Sequence, residues 1–183
     1  MRIISGKYKS RRLKKPPDEV SPTKDNVKEA IFNILKGKVK GANVLDLFSG
    51  SGSLALEALS REAEKIFIVD RDISTINRNL EALSLVSEKN VKVYRQDVFS
   101  FIGSAKNKAL KFSIIFLDPP YYKDMAKKCL HMLSRYDILQ PNGIIIAEHE
   151  SQAKLPQLIG ILRLIRIYKA GNTTVSFYKK DIL

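Results

Sequence analysis

The sequence predicts an α/β fold: a mostly parallel, seven-stranded sheet with helices on both faces, an antiparallel hairpin at its C-terminal edge and a small N-terminal β-hairpin extension. Three features carry this. Short apolar runs alternate with amphipathic stretches from Asn43 onward, a glycine-rich turn follows the first run, and a tight turn separates the last two. Strands that alternate with helices make βαβ units, whose crossovers cover both faces of a parallel sheet. The 183 residues suit about one domain.

Taken in order, Met1 to Leu13 mixes Ile3, Ile4, Tyr8 and Leu13 with basic residues and Gly6, a pattern that favours a hairpin over a helix. Pro16 and Pro17 end it. Ser21 or Thr23 can cap a following helix, in which Val27, Ala30, Ile31, Ile34 and Leu35 recur at helical spacing before Gly37. The expected organisation is an extension over residues 1–20 and a main domain over 21–183. Strands are expected at Val44 to Phe48, Lys65 to Val69, Val91 to Tyr94, Phe112 to Leu117 and Gly143 to Ala147. Helices are expected near Ser53 to Ser60, Ile73 to Val86, Phe99 to Ala105 and Lys123 to Ser134. Ile161 to Tyr168 and Thr173 to Lys179, joined by Ala170-Gly171-Asn172, form the closing hairpin.

Composition narrows the class. Hydrophobic residues make up 44% and charged residues 28%, which supports a sizeable core. No apolar run approaches the ~20 residues that span a bilayer, and no signal segment follows the basic start. With Cys129 the only cysteine, an internal disulfide is impossible and a reducing cytoplasm is the expected setting. The formal charge of +13 draws the chain toward polyanions. Arg2, Lys7, Lys9, Arg11, Arg12, Lys14 and Lys15 precede Pro16 with no acid among them, which suggests nucleic-acid phosphates as their partner; a solvated basic tail is the alternative.

The first strand runs into Asp46-Leu47-Phe48-Ser49-Gly50-Ser51-Gly52-Ser53 and then a helix. Glycines allow a tight turn and close approach of a ligand, and the helix N-terminus offers amides. Gly50-x-Gly52-x-x-Ala55 also matches a dinucleotide fingerprint. Asp46 separates the readings: a carboxylate there repels a pyrophosphate and attracts a cofactor that carries an ammonium and a sulfonium group, so S-adenosylmethionine is favoured over NAD. Asp70, at the end of the second strand, can accept from ribose hydroxyls. Asp97, after the third, can accept from an adenine amino group, or can instead cap the helix it precedes.

The fourth strand ends in Leu117-Asp118-Pro119-Pro120-Tyr121. Paired prolines donate no backbone hydrogen bond and hold the chain extended, so the loop is a rigid platform of acceptors. The amino group of a base is a poor nucleophile because its lone pair is delocalised. The Asp118 carboxylate and the Pro119 carbonyl can accept its hydrogens and aim the lone pair at a methyl group, while Tyr121 offers a face for stacking. Taken alone the tetrapeptide could be a turn closing a strand; its place beside the first strand favours catalysis.

In these residues and in its N-terminal strings, the chain resembles the RsmD-like family of 16S ribosomal RNA guanine-N2 methyltransferases. The likeness runs through Met1-Arg2-Ile3-Ile4-Ser5-Gly6-Lys7-Tyr8, Arg11-Arg12-Leu13, Pro22 to Asn33, Asp46 to Gly52, Asp118 to Tyr121 and Glu148-His149-Glu150. It implies a Rossmann-like class I methyltransferase fold, S-adenosylmethionine as methyl donor and small-subunit ribosomal RNA in an assembling particle as substrate. The site it implies has Asp118, Pro119, Pro120 and Tyr121 as catalytic residues. Thr23, Asp46, Phe48, Ser49, Gly50, Gly52, Asp70, Arg71, Asp97 and Val98 would contact the cofactor, and Arg2, Lys7, Lys9, Arg11 and Arg12 the RNA. Ser21 and Lys24 depart from the family pattern, which more often has arginine and threonine there. Glu148 and His149 either support the site or merely end a strand. No metal and no membrane partner is expected, and a monomer is the expected state. The alternatives are an adenine-N6 methyltransferase, a release-factor glutamine methyltransferase, for which asparagine would be expected at position 118, and, in another class, a non-catalytic RNA-binding module.

Overall fold

A computed structural model describes residues 1–16, 25–120 and 124–181. The elements are α1 (Asp25–Ile34), β1 (Asn43–Leu47), α2 (Ser53–Ser60), β2 (Lys65–Asp70), α3 (Ser74–Ala82), β3 (Val91–Arg95), α4 (Val98–Asn107), β4 (Phe112–Leu117), α5 (Met125–Tyr136), β5 (Leu139–Glu150), β6 (Leu158–Ile159), β7 (Leu162–Ala170) and β8 (Thr173–Lys180). They build one eight-stranded sheet in the order β3-β2-β1-β4-β5-β8-β7-β6. The first five strands are parallel, and β8, β7 and β6 continue antiparallel from β5. The expected sheet is therefore present with one addition: β6, two residues long, which Gly160 (φ 53°) folds back onto β7.

Strand alternation divides the core in two. Val44, Ile66, Ile68, Ile114, Phe116, Ile144 and Ile146 point toward α1, α2 and α3, whereas Leu45, Leu47, Val69, Ile115, Leu117 and Ala147 point toward α4 and α5. Both faces of the central strands are thus apolar, as expected of a sheet covered on each side. Where the chain reverses direction across the sheet, between β1 and β4, the two βα loops diverge and leave a crevice at the carboxyl ends of the strands.

Helix α3 stops at Ala82, four residues short of expectation, because Ser84 adopts φ 58°. The Leu85 amide bonds back to Leu80 O and the Ser84 amide to Glu81 O, while Leu80 and Leu85 both enter the core. This is a Schellman closure made without glycine. Helices α2 and α4 end in the same way at Glu62 (φ 68°) and Ala109 (φ 52°).

The N-terminal segment forms the expected hairpin in abbreviated form. One bridge joins Arg2 to Arg12, flanked by bonds from Ile3 N to Arg11 O (3.0 Å) and Ser10 N to Ile3 O (2.8 Å). Its tip is pinned to the end of α2. Lys7 N donates to Ser60 O at 2.8 Å, and a side chain on Gly6 (φ 85°) would put its Cβ 1.8 Å from that oxygen. Buried Glu57 accepts from Ile4 N (2.7 Å), Ser5 N (3.1 Å) and Arg61 Nε (2.7 Å). Buried Lys28 on α1 donates to Arg2 O and to Ser53 Oγ (3.0 Å), and lies 3.9 Å from Glu57. On the opposite face Cys129 is buried with its thiol pushed up to about 12 by desolvation, so it stays protonated and unreactive near neutral pH. Among the described residues no helix is long and apolar enough to cross a membrane.

Candidate active site

The loop after β1 depends on left-handed backbone at Phe48 (φ 59°), Gly50 (φ 55°) and Gly52 (φ 78°). Gly52 occupies the N-cap of α2 and has no side chain to satisfy the first-turn amides. Asp46 serves that end from inside the strand: its Oδ2 accepts from the Ala55 amide at 3.1 Å and from Ser49 Oγ at 2.6 Å. The carboxylate is 2% exposed, and desolvation pushes its pKa from 3.8 up to about 7, with Asp118 and Asp70 nearby adding repulsion against the two hydrogen bonds that oppose the rise. Three acids from three neighbouring strands thus meet at one edge of the sheet. Such a cluster favours a cation and disfavours a phosphate.

Asp70 ties the second loop to the first. Its Oδ2 accepts from Gly50 N at 2.8 Å and its Oδ1 from Asp72 N at 3.1 Å. Each carboxylate oxygen accepts more than one bond, so hydroxyl donors can still be received there. Asp97 takes the capping role that the sequence left open: its Oδ1 accepts from Ser100 N at 3.1 Å, at the start of α4, and its Oδ2 from Arg71 at 2.6 Å. Although desolvation alone would raise the Asp97 carboxyl, the Arg71 guanidinium and the Ser100 amide hold it below its ordinary range. Val98 is buried in the α4 and α5 core, which leaves only its backbone to face a ligand. Thr23 and Tyr121 lie outside the described residues, as do the expected cap at Ser21 and the departures at Ser21 and Lys24.

Asp118 follows β4 directly. Because Leu47, Leu117 and Ala147 are in register across β1, β4 and β5, Asp118 stands between the glycine loop and Glu148. Pro119 is buried and Pro120 exposed. A cavity of about 370 Å³ opens beside them, lined also by Lys127, Glu148, His149 and Lys154. His149 Nδ1 lies 2.9 Å from Glu150 O, so that nitrogen carries the proton, and Nε2 accepts from Ser176 Oγ at 2.9 Å. Desolvation lowers its pKa, which keeps the ring neutral. Among the described residues no group of three or more His, Cys, Asp or Glu could hold a metal ion.

The basic residues divide by distance. Lys28 links Arg2 O to Ser53, so Arg2 and its bridge partner Arg12 lie at the start of α2, beside the site. The Arg2 guanidinium is 3.8 Å from Asp25, and Arg11 donates to Ala82 O at the end of α3. Lys7, which stands 5.3 Å over the Tyr8 ring, and Lys9 lie at the hairpin tip beside Ser60, a helix length of ~12 Å away. A larger hollow, about 660 Å³, sits there between Tyr8, Arg61 and Asn90, at the edge opposite the acids. Sequence reasoning missed Lys28 and Glu57, whose burial shows only in three dimensions; a lysine inside an otherwise apolar helical stripe was the available signal.

The family model described as Conserved hypothetical protein 95 matches residues 1–179. YlbH of Bacillus subtilis (strain 168) is 42% identical over 98% of this chain and 99% of its own length. The Ribosomal RNA small subunit methyltransferase D of Haemophilus influenzae is 36% identical over 85% of this chain and 81% of its own. The solved structure of yhhF from Escherichia coli superposes with a TM-score of 0.86 at 30% identity, covering 100% of this chain and 99% of that one.

Proposed function

The chain belongs to the Conserved hypothetical protein 95 family, and from that premise we propose that it methylates the N2 amino group of a guanine in small-subunit ribosomal RNA. The fold is that of a class I methyltransferase, and rRNA methylation is the activity named for its relatives. The observation that carries the reading is the row of acids at the carboxyl edge, with Asp118 on its rigid proline platform one strand from the glycine loop.

S-adenosylmethionine fits this edge. Buried Asp46, poised to lose a proton when a cation arrives, suits a donor that bears ammonium and sulfonium charges. Asp70 would accept from the ribose hydroxyls, Gly50 and Gly52 would allow close approach of the methionine portion, and Ser49 keeps the Asp46 carboxylate oriented. Asp97 and Arg71, joined as an ion pair, with the Val98 backbone, border the adenine end. When bound, S-adenosylmethionine supplies an electrophilic methyl group.

The remaining work falls to this chain. Asp118 and the Pro119 carbonyl accept the amino hydrogens and turn the nitrogen lone pair toward the methyl group, and Asp118 can take the proton that the product sheds. Tyr121 stacks on the base once it has left its helix, which offsets part of the few kcal/mol that unstacking costs. Arg2 and Arg12 beside the site, then Arg11, Lys9 and Lys7 along the N-terminal hairpin, grip the phosphates. The enzyme meets its substrate as a monomer in the cytoplasm, on an assembling small subunit.

Asp118→Ala tests the assignment of the catalytic platform. Methyl transfer should fall by at least about 100-fold, since positioned proton acceptance contributes ~10²–10⁴-fold, while S-adenosylmethionine affinity measured by calorimetry stays within about twofold. Unchanged turnover would remove Asp118 from the mechanism.

A further inference from the structure

Glu148 is a buried carboxylate, 4% exposed, to which the methyl-transfer chemistry gives no task. Register fixes where it points. Leu117 pairs with Ala147, and both side chains enter the α4 and α5 core, so Glu148, the next residue of β5, turns to the opposite face, and Asp118, which follows β4 directly, lies near enough to Asp46 on that face to repel it. That is the face on which Asp46 meets α2. Adjacent strands lie ~4.8 Å apart, which sets the two carboxylates side by side on the β5 flank, away from Asp70 and Asp97.

Guanine and adenine differ sharply toward such a pair. The guanine edge presents N1–H and both hydrogens of its 2-amino group, three donors in a row. Adenine presents an unprotonated N1, whose lone pair a carboxylate repels. A second carboxylate is redundant for accepting one amino group, but it completes the acceptor set for the guanine edge, and a carboxylate offers about four lone-pair sites in all. His149 contributes nothing here: it turns to the other face, where its ring bonds Ser176 and Glu150.

We propose that Glu148 is the specificity-determining residue, accepting from guanine N1–H while Asp118 accepts from the 2-amino group. This rests on the guanine-N2 reading and adds the means by which the site rejects bases that lack a donor at N1.

The test uses the full-length enzyme and RNA that carries either guanine or 2-aminopurine at the methylated position, mapped beforehand. 2-Aminopurine keeps the 2-amino group but has an unprotonated N1. The wild type should prefer guanine in kcat/KM by about 10- to 100-fold, the range expected of a good paired contact to a base edge. Glu148→Gln presents an amide N–H that can donate to that N1, so the preference should fall at least about tenfold and could invert. Glu148→Ala should lose the preference with no gain on 2-aminopurine. S-adenosylmethionine affinity and thermal melting, followed for both variants, report folding. A guanine preference that survives in folded Glu148→Gln overturns the proposal, and so does equal loss on both bases with cofactor affinity intact, which would make Glu148 structural. Should the wild type yield methylated RNA without N2-methylguanosine, the reading beneath the proposal fails first, and the two failures stay distinguishable.

Discussion

Asp46→Asn should make the protein more stable at pH 8 while weakening its hold on the methyl donor. In the unfolded chain the Asp46 carboxyl loses its proton near 3.8, whereas in the folded protein desolvation delays the loss to about 7. Between those values the folded state holds the extra proton, so the contribution to stability falls as pH rises through that window and is flat above it. The gap corresponds to roughly 4 kcal/mol at 1.36 kcal/mol for each pH unit. Asparagine has no proton to lose. Its side-chain oxygen can take the place of Oδ2, which now receives both the Ser49 hydroxyl and the Ala55 amide, so the loop need not rearrange. Urea denaturation of both proteins without cofactor, at pH 5, 6, 7 and 8, measures the effect as a difference in which other titrating groups largely cancel. The variant should gain about 2–4 kcal/mol on the wild type between pH 5 and pH 8. A difference constant to within about 1 kcal/mol would show that Asp46 ionises normally, and would refute the idea that a buried acid prepares this edge for a cation.

Other expectations follow from the same geometry. Binding of S-adenosylmethionine near pH 6.5 should release protons from wild type and none from Asp46→Asn, seen as a calorimetric heat that depends on the ionisation enthalpy of the buffer; equal heats across buffers would contradict it. Lys28→Met strands Glu57 beside the hairpin with one cation fewer and should cost about 3 kcal/mol, a fall in Tm of roughly 6–12 °C. Gly6→Ala forces its Cβ against Ser60 O at a left-handed position, so it should lift the hairpin tip and raise hydrogen exchange at the Lys7 amide. Arg11→Ala with Arg12→Ala should weaken RNA binding and flatten its salt dependence by about one unit of slope for each phosphate no longer neutralised; an unchanged slope would place the RNA elsewhere.

Much of the fold could be read directly from the chain. Strands buried on both faces leave unbroken apolar runs, and β1 to β4 begin and end within a residue or two of expectation. Boundaries failed where local chemistry was unusual. Ser84 and Ala109 take left-handed conformations usually given to glycine, so the ends of α3 and α4 carry no glycine signal, whereas α2 ends at Ser60 as expected. The short β6 exists only because β7 offers it an edge. At the site, Asp46, Gly50, Gly52, Asp70 and Asp118 converge as their positions at strand ends implied. Asp97 could not be resolved from sequence, because a residue before a helix can cap it, bind a ligand or do both; it caps α4 and pairs with Arg71. The hairpin residues were legible as basic, but not that Arg2 and Arg12 would lie at the start of α2 and Lys7 and Lys9 at its end. That arrangement depends on Glu57 and Lys28, whose bonds to the hairpin backbone reach across more than 20 residues of sequence.

The most direct test of the central claim is transfer of labelled methyl from S-adenosylmethionine to small-subunit ribosomal RNA and assembly particles from a strain lacking this gene, followed by nucleoside mass spectrometry. N2-methylguanosine at a single position, absent with Asp118→Ala, is the result predicted. N6-methyladenosine would keep the fold and the chemistry but contradict the guanine assignment, and no labelled product on naked RNA or particles would contradict the enzyme itself and leave an RNA-binding module.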